Sequence, residues 1–207
     1  MSSILIQFAH PALEKSRVNQ VMLRAIRDLP FVTINDLYEE YPDFDIDIDR
    51  EQQLLLAHDY ILLHHPMYWY STPAMLKQWE DLTLEHGWAY GRQGVALTGK
   101  KLMNVMTIGG QREAYNEAGY NRYTVRQFLA PLEQTARLCK MTYLPPFAVH
   151  GTHRITEAGI QQAARQYRNL LIQLDAGLID IPTVLDLPCI NDIIPTDELT
   201  VNPAPQS

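Results

Sequence analysis

The chain has 207 residues, a formal net charge of -7 and two cysteines. That length can bury a core without disulfides or metals, and the acid excess opposes nucleic acid as a partner, because phosphate-backbone binding wants a basic face. Cys139 and Cys189 fit neither a disulfide framework nor a spaced metal cluster. No stretch offers about 18 uninterrupted apolar residues or a leader-like start, so a soluble, cytoplasmic chain is expected.

Ile4 to Ala9 (ILIQFA) reads as a buried strand that ends at His10-Pro11. Ser16 is placed as an N-cap or loop ligand before a helix whose apolar face is Val18, Val21, Met22, Ala25 and Ile26. Phe31 to Ile34 is the second strand. The acidic stretch Asn35 to Asp49 reads as a solvated loop, since its alternating Asp43, Asp45 and Asp47 lack the turn glycine and closing glutamate of a calcium loop.

Gln52 to His58 suggests a short helix leading into Tyr60-Ile61-Leu62-Leu63, an apolar run of the kind found in strands covered on both faces. Pro66 and Pro73 bound an aromatic loop, after which Met75, Leu76, Trp79 and Leu82 recur at helical spacing. Glu85 to Thr98 is a glycine-interrupted excursion whose Trp88 and Tyr90 need a surface to cover them. Leu102 to Ile108 is the fourth strand, running into Gly109-Gly110. Tyr123 to Leu138 carries a helical pattern that Pro131 is expected to bend, Met141 to Val149 a proline-interrupted fifth strand, and Thr156 the start of a last long helix.

Five alternations of strand and helix predict an α/β three-layer sandwich on a five-stranded parallel sheet of order 2-1-3-4-5. The domain is expected over 1–177. A proline-rich arm with a disordered tip is expected over 178–207, its Leu185, Leu187, Ile193 and Ile194 packing on the domain or on a second subunit.

The predicted order brings the loops after strands one, three and four together. His10, Ser16, Arg17, Val18 and Asn19 surround a helix N-terminus suited to a phosphate, although Ser16 as a plain cap and His10 as a strand-end residue explain the same pattern. Pro66, Met67, Tyr68 and Trp69 suit a planar heterocycle and equally suit a subunit interface. Thr107, Ile108, Gly109 and Gly110 would let a ligand approach the backbone closely, or simply make a turn. His64 and His65 are adjacent on a strand and so face opposite sides, which argues against a shared metal, and none is assigned.

HPMYWYSTPAMLKQW with HGWAYG and TIGG, supported by AHP, S-R-V-N and YPDFDIDI, resembles the flavodoxin-like NAD(P)H quinone reductases from Ile4 to about Tyr167. The resemblance is to their bacterial branch, which includes ancillary proteins of glutathione-gated potassium efflux systems. It implies a homodimer binding FMN, or alternatively FAD, across the three loops. NAD(P)H is the implied donor, and two electrons pass by hydride transfer through flavin N5 to a quinone-like acceptor. It also implies a potassium efflux transporter as an alternative partner, which would hold the chain at the periphery of the inner membrane. The mammalian relatives use a tyrosine and a histidine after the diglycine. Tyr115 matches the first and Asn121 falls at the second, leaving Arg112 to compensate charge on the reduced ring.

Overall fold

The structure, a computed structural model, describes residues 2–197; the expected disordered tip lies outside them. In chain order it contains β1 (Ile4–Phe8), α1 (Arg17–Arg24), β2 (Val32–Asp36), α2 (Leu37–Glu40), α3 (Ile48–Ala57), β3 (Tyr60–Pro66) and α4 (Ala74–Thr83). Then follow β4 (Lys101–Thr107), α5 (Val125–Phe128), α6 (Ala130–Leu138), β5 (Thr142–Tyr143), β6 (Phe147–Val149), α7 (Glu157–Asp175) and α8 (Ile181–Val184).

All strands pair in parallel, in the order β2-β1-β3-β4-β5. The fifth position is filled twice. Thr142 and Tyr143 pair with Lys101 and Leu102, and Phe147 to Val149 pair with Val105 to Thr107. Pro145 and Pro146 lie between them without amide protons, so the ladder breaks there and the sheet counts six strands in the expected order.

Period-two alternation sends Ile4, Ile6, Phe8, Leu62, Met103 and Val105 to the layer of α1 and α7. It sends Leu5, Ile61, Leu63, Leu102 and Met106 to the layer of α3, α4 and α6. Both faces are covered, which is why the strands read as continuous apolar runs.

The expected helix over Tyr123 to Leu138 is two helices. A capping box between Thr124 and Gln127 starts α5, the chain leaves helical geometry at Leu129 (ψ 1°), and Pro131 enters in the first turn of α6, where its missing amide leaves no bond unmade. Trp88 and Tyr90 need no outside partner, because they pack against the protein's own core. The segment expected as an arm is also packed as far as it is described. Ile179, Val184, Ile190 and Ile194 are buried with α1 and α7, Leu185 and Leu187 lie against them, and Ile193 is exposed.

One fully buried carboxylate ties the second layer to the sheet. Glu51 Oε2 accepts from Gln7 Nε2 at 2.6 Å and Trp79 Nε1 at 2.9 Å, and its Oε1 accepts from Tyr41 Oη at 2.7 Å and Arg50 Nη1 at 2.6 Å. Asn35 Nδ2 reaches both Gln7 Oε1 and the carboxylate, so β1, β2, α3 and α4 meet at one charge. Replacing it strands several buried donors at once. Glu51→Ala is expected to lower the unfolding free energy by about 3–5 kcal/mol. Urea denaturation reads this as a lower midpoint at unchanged slope, and a loss below about 1 kcal/mol would contradict it.

Candidate functional site

The C-terminal ends of β1, β3 and β4 open into one cleft of about 870 Å³. Its first wall is the entry to α1. Ser16 caps the helix by accepting from the Asn19 amide at 3.2 Å, and the amides of the first turn, those of Arg17 and Val18 among them, have no intrahelical acceptor. His10 Nδ1 accepts from the Ala12 amide at 3.1 Å, so the neutral ring carries its proton on Nε2. Burial lowers its pKa, which favours that neutral form.

The side chain of Asn19 does not face an incoming anion. Its Nδ2 donates to Ser16 Oγ at 2.9 Å and Thr107 Oγ1 at 3.1 Å, while Oδ1 accepts from His64 Nε2 at 3.0 Å. Asn19 therefore binds α1 to β3 and β4 beneath the cleft. Val18 is likewise buried in the core and offers backbone only. Arg17 lies at the cleft and pairs at 3.6 Å with Glu157, both side chains being exposed.

The second wall is a two-residue hairpin. Tyr68 and Ser71 exchange backbone bonds at 3.0 and 2.9 Å, with Trp69 and Tyr70 between them at φ 48° and 64°. Two consecutive residues at positive φ make the tight turn usually given to Asn-Gly. Here it holds large aromatics instead, and Trp69 is 92% exposed. Below the hairpin, His65 Nε2 accepts from Asn104 Nδ2 at 2.9 Å, so its Nδ1 donates to the Pro66 carbonyl at 3.0 Å. Met67 and its neighbours thus start from a fixed carbonyl.

The third wall is Thr107, Gly109 and Gly110. A methyl group at Gly109 would lie 2.5 Å from His153 Nε2, and one at Gly110 would lie 3.0 Å from Tyr115 Oη. The glycines therefore make room for two side chains as well as for a ligand. Ile108 is different: its side chain is buried, its amide donates to Val149 at 2.8 Å, and its carbonyl accepts from Thr152 at 3.1 Å. It presents no free group to the cleft.

Tyr115 lines the cleft, and burial raises its phenol pKa, with Tyr70 adding to the rise and the Asn121 side chain opposing it. Asn121 Oδ1 also accepts from Tyr70 Oη at 3.2 Å, which places this amide between two phenols. Arg112 does not reach the cleft wall, because Asp192 holds it at 2.8 Å.

Tyr70, part of the aromatic loop bounded by Pro66 and Pro73, lines the same cleft, as do Ala12, Lys15, Thr152 and His153, which escape the sequence reading. For the last two a signal existed, since Gly151 (φ 67°) turns the chain just after β6, at the strand end in the fifth position of the sheet. Cys139 is buried and its thiol is pushed up to about 11 by burial, which leaves it a small hydrophobe.

The sequence profile of the flavodoxin-like fold family matches residues 2–171. General stress protein 14 of Bacillus subtilis is 39% identical over 170 residues, covering 82% of this chain and 97% of that protein. YrkL of the same organism, named an NAD(P)H oxidoreductase, is 41% identical over 162 residues, with 78% and 93% covered. The potassium-efflux ancillary protein KefG of Serratia proteamaculans is 44% identical over 168 residues, with 81% and 92% covered. Among solved structures, general stress protein 14 of Treponema denticola in complex with FMN superposes at TM-score 0.77, with 37% identity and 84% and 98% of the two chains covered.

Two predictions come from this geometry. Burial pushes the pKa of His64 down to about 3 and that of His65 down to about 4, so unfolding at mildly acid pH takes up two protons that the folded chain refuses. Stability from these depressed histidines is present above the unfolded value of about 6.5 and is lost as pH falls toward the folded values. Asp36, pushed up to about 6 by burial, opposes part of the loss because the folded chain binds that proton more tightly. The expected net fall from pH 7 to pH 5 is about 2–3 kcal/mol by chemical denaturation, and a flat profile would contradict it. The second concerns the hairpin. In protein diluted to the monomer, Trp69→Asn is expected to raise stability by up to about 1 kcal/mol, since Asn accepts positive φ and the lost side chain packs on nothing within its own chain; a decrease in the monomer's melting temperature would count against the strain.

Proposed function

The chain belongs to the flavodoxin-like fold family, and from that membership we propose that it is an FMN-dependent NAD(P)H oxidoreductase passing two electrons to a quinone or similar acceptor. The observation that carries the reading is the convergence of three loops on one cleft, with a capped helix N-terminus on one wall and an aromatic hairpin on another. The residues fit the cofactor. Free amides at Arg17 and Val18, the Nε2 proton of His10 and the Lys15 ammonium suit a phosphate, and the backbone from Pro66 to Trp69 with Gly109 and Gly110 suits a flat ring. FMN is preferred to FAD because of the FMN complex of the Treponema denticola relative.

When bound, the flavin supplies the chemistry of hydride acceptance and donation at N5. The chain's residues do the rest. Tyr115 keeps its proton at neutral pH, because its phenol pKa lies above the ordinary value of 10.0, and it serves as a hydrogen-bond donor where negative charge gathers on the reduced ring. Asn121 holds Tyr115 and Tyr70 relative to one another and cannot itself ionise. Thr152 and His153 complete the lining of the cleft, His153 beside Gly109.

The exposed aromatics Tyr68, Trp69, Tyr70, Tyr120 and Tyr123 are a surface for a second copy, and we assign the chain as a homodimer on that ground. Two free cysteines favour the cytoplasm, and among the described residues no helix is long and apolar enough to cross a membrane. A second reading, an ancillary subunit on a potassium efflux transporter at the inner membrane, is favoured by the likeness to KefG. Recovery of such a transporter with tagged protein from membrane fractions supports it, and recovery of the homodimer alone removes it.

The enzyme reading predicts parallel double-reciprocal lines for donor and acceptor, because both use one cleft in turn; intersecting lines would contradict it. Tyr115→Phe is expected to slow hydride transfer in rapid-mixing experiments by about tenfold to a thousandfold, the scale of losing one transition-state donor. An unchanged rate would remove Tyr115 from the mechanism.

A further inference from the structure

The family match ends at residue 171, and after α7 the chain turns back across the β6 edge of the sheet. Ile190 donates its amide to the Pro146 carbonyl at 3.0 Å, and Asn191 Oδ1 accepts from the Ala148 amide at 2.8 Å. The segment thereby occupies hydrogen-bonding positions that an edge strand would otherwise leave open. Gln166 of α7 secures it further, donating to the carbonyls of Asn191 at 3.0 Å and Ile194 at 2.8 Å.

The same segment grips the excursion that carries Tyr115. Between β4 and α5 the regular structure is a single 3-10 turn, Arg112–Ala114, so side-chain anchors decide where this stretch rests. Arg112 at its start pairs with Asp192 at 2.8 Å. Arg126 at its end donates through Nη1 to the carbonyls of Leu185 at 2.6 Å and Leu187 at 3.1 Å. Tyr115 and Asn121 lie between the two arginines. Phe128, two residues beyond Arg126, stacks on Tyr70 at 4.9 Å and meets Tyr115 edge-on at 6.2 Å.

We propose that Ile179 to Asp197 is a built-in strap that sets the position of Tyr115 in the cleft, with Asp192 and the Leu185 and Leu187 carbonyls as positioning groups acting through Arg112 and Arg126. The strap is a property of the chain without ligand, and its consequence for the reaction rests on the flavin reading above. The two anchors differ in strength. Arg112 and Asp192 are 56% and 33% exposed, and a pair of that kind shifts a local equilibrium by at most about fivefold. Arg126 is 26% exposed and gives charged donors to two carbonyls, worth about tenfold or more.

Hydrogen–deuterium exchange on the full chain without flavin tests the strap. Asp192→Asn is expected to speed exchange over residues 111–123 by about twofold to fivefold, and Arg126→Met by about tenfold or more, with β1 and β3 unchanged. Asp192→Glu restores protection. In FMN titrations read by fluorescence quenching, the dissociation constant of each variant rises by a similar factor. Unchanged exchange over 111–123 would overturn the proposal, as would a uniform rise that includes β1 and β3, since the segment would then add only bulk stability. A parent chain whose exchange follows the strap pattern but which binds no FMN leaves the strap standing and removes the flavin reading.

Discussion

His64 and His65, adjacent at the end of the central strand, face opposite layers, and each fixes a different wall of the cleft. His64 holds Asn19, and through it Ser16 and Thr107, so the entry to α1 cannot move without disturbing β3 and β4. His65 holds the Pro66 carbonyl and is itself held by Asn104, which accepts from Tyr143 at 2.7 Å. The His65 ring must be neutral for its Nε2 to accept from Asn104, whereas His64 donates from Nε2 in either state; burial keeps both rings neutral. The cleft is consequently organised from beneath by two histidines that do not line it. Such prior arrangement is what lets loops bind a ligand without the cost of ordering them.

Above that fixed floor the walls are less settled. Trp69 and Tyr70 sit at positive φ, a conformation that costs free energy, and while Tyr70 is stacked on Phe128, Trp69 is almost fully exposed. The excursion carrying Tyr115 has little regular structure and takes its position from Arg112 and Arg126. A rigid floor with adaptable walls suits a site that must admit first one planar reactant and then another.

Much of this was legible in the sequence because parallel strands buried on both faces leave plain apolar runs, and because Ser16, Pro66 and the diglycine mark the strand ends. The doubly wound parallel sheet followed from the alternation of strands and helices, and the order 2-1-3-4-5, first choice among such sheets, is the one observed. Direction of side chains did not follow. Asn19 reads as a ligand residue at a helix start, yet it lies on the inward side of the first turn, where a buried histidine needs an acceptor. Ile108 sits in the loop but its amide and carbonyl are taken by Val149 of β6 and by Thr152 in the turn after it. Packing of Leu185, Leu187 and Ile194 on the domain was one of the two alternatives open in the sequence, but the elements of residues 178–197 were hidden because α8 and the 3-10 turn Ile190–Ile193 are each four residues long, too short to show a period. Glu51 was hidden for a different reason: a buried charge is recognisable only once its several donors are assembled around it.

The most direct measurement is the visible absorption spectrum of the purified protein, with acid release and chromatography of any yellow compound and a titration with added FMN. A flavin spectrum, FMN in the released fraction and saturable uptake by protein stripped of it are the expected results. A colourless protein that takes up neither FMN nor FAD would contradict the assignment of this cleft to a flavin.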